Sequence, residues 1–279
     1  MRIRIDLAYD GGDFHGWARQ PGLRTVQGEF EAALATVLRL PEARVVVAGR
    51  TDTGVHARGQ VAHLDLDRAA LDASAGRSPE PPLVTLVRRL NGILPADLRV
   101  RRASEVPAEF DARFSALWRR YAYRVADRPE YADPLVRQHV LIRSRPLDLA
   151  AMNAAATDLL GLHDFASFCK PREGATTIRT ITRLHWEREP SGIAVAHVVA
   201  DAFCHSMVRA LMGCLMTIGE GRQDVSWAGE RLDAATRSPA VPVAPAVGLT
   251  LEEVGYPPTA ELAARLLVTR AKRDPGEVR

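Results

Sequence analysis

Residues 2–9 read Arg-Ile-Arg-Ile-Asp-Leu-Ala-Tyr. Ile3, Ile5, Leu7 and Tyr9 fall on one side of a two-residue period, and Arg2, Arg4 and Asp6 on the other. A strand with one buried face satisfies that pattern and a helix does not. Such a strand needs neighbours that alternate in the same way, and the chain supplies them. Tyr121, Tyr123 and Val125 alternate with Arg120, Ala122 and Arg124. Segments 176–188 and 193–200 flank Pro190-Ser191-Gly192, which predicts a hairpin. Further strands are expected over 44–48, 59–66 and 247–256, with another beginning at Leu98.

Helical stripes lie between these strands. Thr25 reads as an N-cap before Val26, Phe30, Ala33, Leu34, Val37 and Leu38. Shorter helices are expected over 83–90, ending near Asn91-Gly92, over 149–160, closed by Gly161, and over 227–235. A helix over 207–218 puts Met207, Leu211, Cys214, Leu215 and Ile218 on one side, with Arg209 near the other. An amphipathic helix is expected over 259–272. Residues 69–82, with three prolines and little apolar mass, read as a surface loop. Hairpin-type strands interspersed with helices predict an α+β fold with mostly antiparallel or mixed sheets, not a doubly wound parallel one. The division expected is 1–105, 106–257 and a helical tail over 258–279, with no visible repeat between the halves.

At 279 residues, 47% apolar and 25% charged, the chain has the composition of a globular protein, which excludes disorder as its main state. No stretch approaches the ~20 apolar residues of a membrane span. The start lacks the apolar core of a signal peptide, so a cytoplasmic protein is expected. Cys169, Cys204 and Cys214 have no Cys-x-x-Cys spacing and read as buried free thiols. The histidines lack ligand partners at metal-binding spacing, so no metal site is expected. All but two of the 37 basic residues are arginine, the exceptions being Lys170 and Lys272. Basic stretches at 113–128 and 170–188 fit contact with phosphate, although solvated protein faces look the same.

The densest polar cluster is Gly49-Arg50-Thr51-Asp52-Thr53-Gly54-Val55-His56-Ala57-Arg58, held between two apolar strands. Arg50, Arg58 and His56 surround one carboxylate, Asp52. Nearby guanidinium groups favour the ionised form, and a positioned carboxylate can act as nucleophile or base. A tight loop with a solvated ion pair would look the same. The triplet Asp52-Thr53-Gly54 also raises an aspartic hydrolase, but those enzymes share a proton between two aspartates and this chain has one such triplet.

GRTDTGVHA, at 49–57, resembles the catalytic loop of the tRNA pseudouridine synthase A family. DLAYDGGDFHGWARQPGLRTVQGEFEAAL, LNGILPADLRV, FDARFSALWRRYAYRV, GLHDFASFC, FCHSMVRALMG and APAVGLTLEEVGYP resemble further motifs of that family in the same order, spanning residues 3–257. The resemblance implies two pseudo-symmetric α+β halves joined around a basic cleft. It implies an isomerase that makes pseudouridine at positions 38, 39 and 40 of the tRNA anticodon stem-loop, without cofactor, as a homodimer. It makes Asp52 the nucleophile and assigns Arg50 to nucleotide flipping. Tyr121 would stack on the target uracil with a possible part in proton transfer, Arg209 would orient Asp52, and Leu249 would pack beside the flipped base. Arg58 and His56 are expected to help bind substrate. Thr53 replaces the family's usual alanine. A catalytically silent tRNA-binding protein of the same fold is the alternative.

Overall fold

The alternation of residues 2–9 becomes strand β1 (Arg2–Tyr9), which alternates in burial along its whole length. The computed structural model describes residues 1–170 and 176–270. Two compact units divide the chain. The first holds Met1–Leu117 and resumes at Leu251, and the second holds Trp118–Thr250.

In the first unit β1 is followed by α1 (Val26–Leu38), β2 (Val46–Val47), β3 (His56–Asp65), α2 (Arg68–Ala75), α3 (Pro82–Ile93) and β4 (Leu98–Val106). Strand β1 lies between β3 and β4, antiparallel to both, and β2 pairs antiparallel with β3. The three helices pack on one another, and Phe30, Leu34, Leu71, Leu86 and Leu90 are fully buried with Ile3, Ile5 and Leu7. Thr25 caps α1 as its position implies, its Oγ1 accepting from Gly28 N at 3.2 Å.

The expected loop over 69–82 is corrected in part, because α2 occupies its first half. Leu71 is fully buried there beside Ser74 and Ala75, so one leucine and small residues suffice for a short helix of alanine-favoured propensity. Pro82 then opens α3, where its missing N–H costs nothing. Helix α3 ends at Ile93, just past Asn91-Gly92, near where its end is expected. The Asn91 side chain donates to Val100 O at 2.8 Å and accepts from Val100 N at 2.9 Å, which ties the helix end to β4.

The second unit contains β5 (Trp118–Ala126), β6 (Leu141–Ile142), α4 (Leu149–Thr157), β7 (Gly161–Asp164), β8 (Ile178–Arg188), β9 (Ala194–Ala200), α5 (Met207–Gly219) and α6 (Trp227–Asp233). Strand β10 (Leu249–Gly255) starts in this unit and ends in the first, where α7 (Leu262–Arg270) follows. The order β5-β9-β8-β7 is antiparallel throughout, and short β6 adds to β5 in parallel. The fold is therefore α+β with mostly antiparallel pairing. The hairpin expected around Pro190-Ser191-Gly192 is β8–β9. Helix α4 stops at Thr157, short of 160, and Gly161, at φ +102°, opens β7. The expected end of the last helix, at 272, lies outside the described residues.

The expectation of three free thiols is also corrected. Cys169 and Cys204 are joined as a disulfide with Cα atoms 5.7 Å apart. Lys170 N donates to His205 O at 3.0 Å beside it, so the backbone itself brings the two segments together. Local spacing could not reveal a pair separated by 35 positions. Cys214 remains a buried free thiol, and burial pushes its pKa up to about 12.

His63 on β3 accepts from Ala112 N at 3.0 Å through Nδ1. Burial, and then the charge of Arg2, hold its pKa below the ordinary value. The unfolded chain therefore takes up this proton first as pH falls. The stability it gives is complete above about pH 6.5 and declines as pH drops through the folded value. Thermal melts are expected to show Tm falling from pH 7 to pH 5, with a shallower slope in His63→Asn. An unchanged slope would remove His63 as a source of the effect.

Candidate active site

The loop from β2 to β3 carries Asp52, and its backbone is fixed on both flanks. Ala48 N donates to Val61 O at 2.8 Å, and Val55 N closes a turn onto Asp52 O at 3.1 Å. A second loop, residues 10–17, backs the first. Trp17 N donates to Thr51 O at 3.0 Å, and Gly54 N donates to Phe14 O at 3.3 Å. The two loops fit so closely that two positions must be glycine, Gly11, where a Cβ would lie 2.1 Å from Val55 O, and Gly16. Gly16 has φ +83°, and a Cβ there would lie 2.9 Å from Thr51 O and 3.1 Å from Thr53 N. The glycine-rich run at 11–16, which carries no phosphate-loop motif, is thus the support of the Asp52 loop.

Asp52 itself is half-buried, while Arg50 and Thr53 beside it are exposed. The backbone is held, and the residue is neither fully buried nor fully exposed. His56, the first residue of β3, is buried. Its Nδ1 accepts from Gly11 N at 3.0 Å and lies 2.9 Å from Asp10 Oδ1. Arg58 follows on the same strand and is exposed. Arg50, Asp52, His56 and Arg58 therefore share one loop and strand start in the first unit.

The second unit positions the other three expected residues. Tyr121 on β5 is 8% exposed, and its ring meets Phe203 edge to face at 5.1 Å. Tyr123 shares its face of the strand but is a structural residue. It is fully buried, its hydroxyl donates to Pro245 O at 2.8 Å, and burial raises its pKa far above that of an ordinary phenol. Arg209, in the first turn of α5, donates from Nε to Ala244 O at 2.7 Å, and Ala244 N donates back to Arg209 O at 2.9 Å. Leu249 is buried at the start of β10. The preceding Gly248 lies so close to Arg124 O and the Tyr123 ring that a Cβ would stand 2.7 and 3.0 Å from them. Segment 244–249 thus joins Arg209 and Leu249 to the strand that bears Tyr121.

Part of the basic character has a structural use. Both Nη atoms of Arg188 donate to buried Asp127, at 2.8 and 2.9 Å. Arg119 donates to Asp201 O at 2.6 Å. Three buried polar residues that sequence reasoning passed over, Tyr9, Thr51 and Gln60, meet under the Asp52 loop. No local pattern signalled them, since the strand that carries Gln60 also carries His56, Arg58, His63 and Asp65. Among the described residues no group of three His, Cys, Asp or Glu side chains could hold a metal ion, and no helix is long and apolar enough to cross a membrane.

A family model described as tRNA pseudouridine synthase matches residues 155–257, which include Arg209 and Leu249. A protein of Frankia casuarinae named tRNA pseudouridine synthase A is 57% identical over 275 residues, 99% of this chain and 96% of that one. The chain belongs to the tRNA pseudouridine synthase A family. Relatives of the same name in Streptomyces griseus and Mycobacterium leprae are 56% and 51% identical, each covering 98% of this chain and 94% and 96% of their own. Members of the tRNA pseudouridine synthase A family are isomerases, and this chain is an enzyme of that class.

Proposed function

We propose that this synthase converts uridine to pseudouridine at positions 38, 39 and 40 of the tRNA anticodon stem-loop, with Asp52 as the nucleophile. The observation that supports this reading best is the Asp52 loop. A carboxylate-bearing residue is half-exposed while the backbone on either side of it is hydrogen-bonded into the fold.

The reaction breaks the bond between uracil N1 and ribose C1′ and forms one between C5 and C1′. C5 loses its proton and N1 gains one, so atoms and electrons balance without a redox partner or a nucleotide cofactor. The freed base must be kept in place until it is rejoined. A carboxylate adduct with Asp52 supplies the activated intermediate, and Tyr121 supplies a face for stacking and a hydroxyl for proton transfer. Leu249 packs beside the base. A stem uridine must first leave its stack, which costs a few kcal/mol. Arg50 takes part in that flipping and exposed Arg58 supports the bound nucleotide, while buried His56 accepts from Gly11 N and steadies the loop end. Arginine contact with phosphate offsets the cost. Arg209 orients the Asp52 carboxylate. In this proposal the enzyme acts in the cytoplasm as a homodimer, with one tRNA touching both protomers.

Incubation with tRNA labelled with tritium at uridine C5 tests the reading, because C5 must release its proton. Release is expected, and none above background would leave only a tRNA-binding protein. Arg209→Ala is expected to lower kcat roughly tenfold, with tRNA affinity little changed. A loss confined to affinity would contradict its orienting role.

A further inference from the structure

We propose that Tyr9, Thr51 and Gln60 are positioning residues for Asp52, forming a buried hydrogen-bond chain that sets the height and angle of the catalytic loop. The inference rests on Asp52 being the nucleophile.

All three side chains are buried: Gln60 fully, Tyr9 to 5% and Thr51 to 6% exposure. Gln60 Nε2 donates to Gly49 O at 2.9 Å and to the Tyr9 hydroxyl at 3.1 Å. Val61 N donates to Gln60 Oε1 at 3.2 Å. A backbone carbonyl can only accept and a backbone N–H can only donate, so these two contacts fix which way the amide faces. The Tyr9 hydroxyl accepts from Gln60 and shares a second hydrogen bond with the Thr51 hydroxyl, 2.8 Å away. The chain thus runs unbroken from Gln60 through Tyr9 to Thr51.

Its two ends hold the loop at Gly49 and at Thr51. These residues bracket Arg50, and Thr51 directly precedes Asp52. The anchor is rigid because Gln60 and Tyr9 lie in paired strands, with Leu7 opposite Gln60 in the register of β1 and β3. The Tyr9 ring is further held by Phe14, edge to face at 6.5 Å, and by Trp17 at 6.1 Å. Burial raises the Tyr9 phenol to about 12, so it keeps its proton at neutral pH. A buried network that is fully satisfied specifies one geometry, and small displacements of a reacting group are costly to rate.

Single-turnover and steady-state kinetics on tRNA test this in Tyr9→Phe, Thr51→Val, Thr51→Ser and the double variant Tyr9→Phe/Thr51→Val, with Asp52→Asn alongside. Tyr9→Phe and Thr51→Val are each expected to lower kcat roughly tenfold, with KM within about twofold of wild type. Thr51→Ser keeps the hydroxyl and is expected to recover most of the loss. The double variant is expected to be no worse than Tyr9→Phe alone, because that variant has already lost the Tyr9–Thr51 bond along with the one from Gln60. Wild-type kcat in Tyr9→Phe and Thr51→Val, with Asp52→Asn inactive, would overturn the inference and leave the nucleophile in place. So would losses that multiply in the double variant, or a loss that Thr51→Ser does not recover. An active Asp52→Asn would instead overturn the reading on which the inference rests.

Discussion

Asp52→Asn is expected to bind tRNA as wild type does and to form pseudouridine at least ~10³-fold more slowly, the scale of loss seen when a nucleophile is removed from an otherwise intact site. The substitution preserves shape and leaves the loop in place. The bonds from Val55 N to Asp52 O, Trp17 N to Thr51 O and Gly54 N to Phe14 O are between backbone groups, and those of Gln60 and Tyr9 reach Gly49 and Thr51, so none of these uses the Asp52 side chain. What is lost is the negative oxygen. A neutral amide cannot form the adduct that activates the nucleotide, whereas the arginine contacts that attract RNA are unaffected. Filter binding and single-turnover kinetics on one tRNA separate the two effects. Comparable loss of binding and of rate would mean that Asp52 acts mainly in holding the substrate.

Gly16→Ala is the second large effect expected, and it acts from a residue remote in sequence. At φ +83° a Cβ costs about 1–2 kcal/mol wherever it stands. Here it would also press on Thr51 O and Thr53 N, the backbone on either side of Asp52. The loop must move away, and a shift approaching 1 Å at a reacting group can cost ~10²-fold in rate. Gly22 is the control. Its φ is +71°, but a Cβ there meets nothing within 4 Å. Gly22→Ala is expected to lower Tm by the φ cost alone, less than Gly16→Ala does, and to leave kcat unchanged. Equal kinetic effects of the two substitutions would show that strain alone, and not pressure on the loop, governs the rate.

Much of the fold was legible because its elements obey local rules. The two-residue period of 2–9, the Thr25 cap and the turn between β8 and β9 each express a constraint within a few residues. The misreadings came where distant contacts decide. Helix α2 hides among alanines and precedes a proline-rich turn. Cys169 and Cys204 meet only through the folding of the second unit. The candidate site divides in the same way. Asp52 stood out as a carboxylate among arginines between two strands, whereas its assigned role, and those of Tyr121, Arg209 and Leu249, came from family resemblance. The support under the loop was not legible at all, since Tyr9 is 42 positions from Thr51 and 51 from Gln60. In sequence Tyr9 reads as one more core residue of an alternating strand.

A pseudouridine map of tRNA positions 38, 39 and 40 is the most direct test of the account as a whole. It would compare cells that lack this chain with the same cells given back the wild-type chain or Asp52→Asn. Loss of pseudouridine in the deletion, restored by wild type and not by Asp52→Asn, is the predicted result. Pseudouridine that persists in the deletion, or that Asp52→Asn restores, would contradict it.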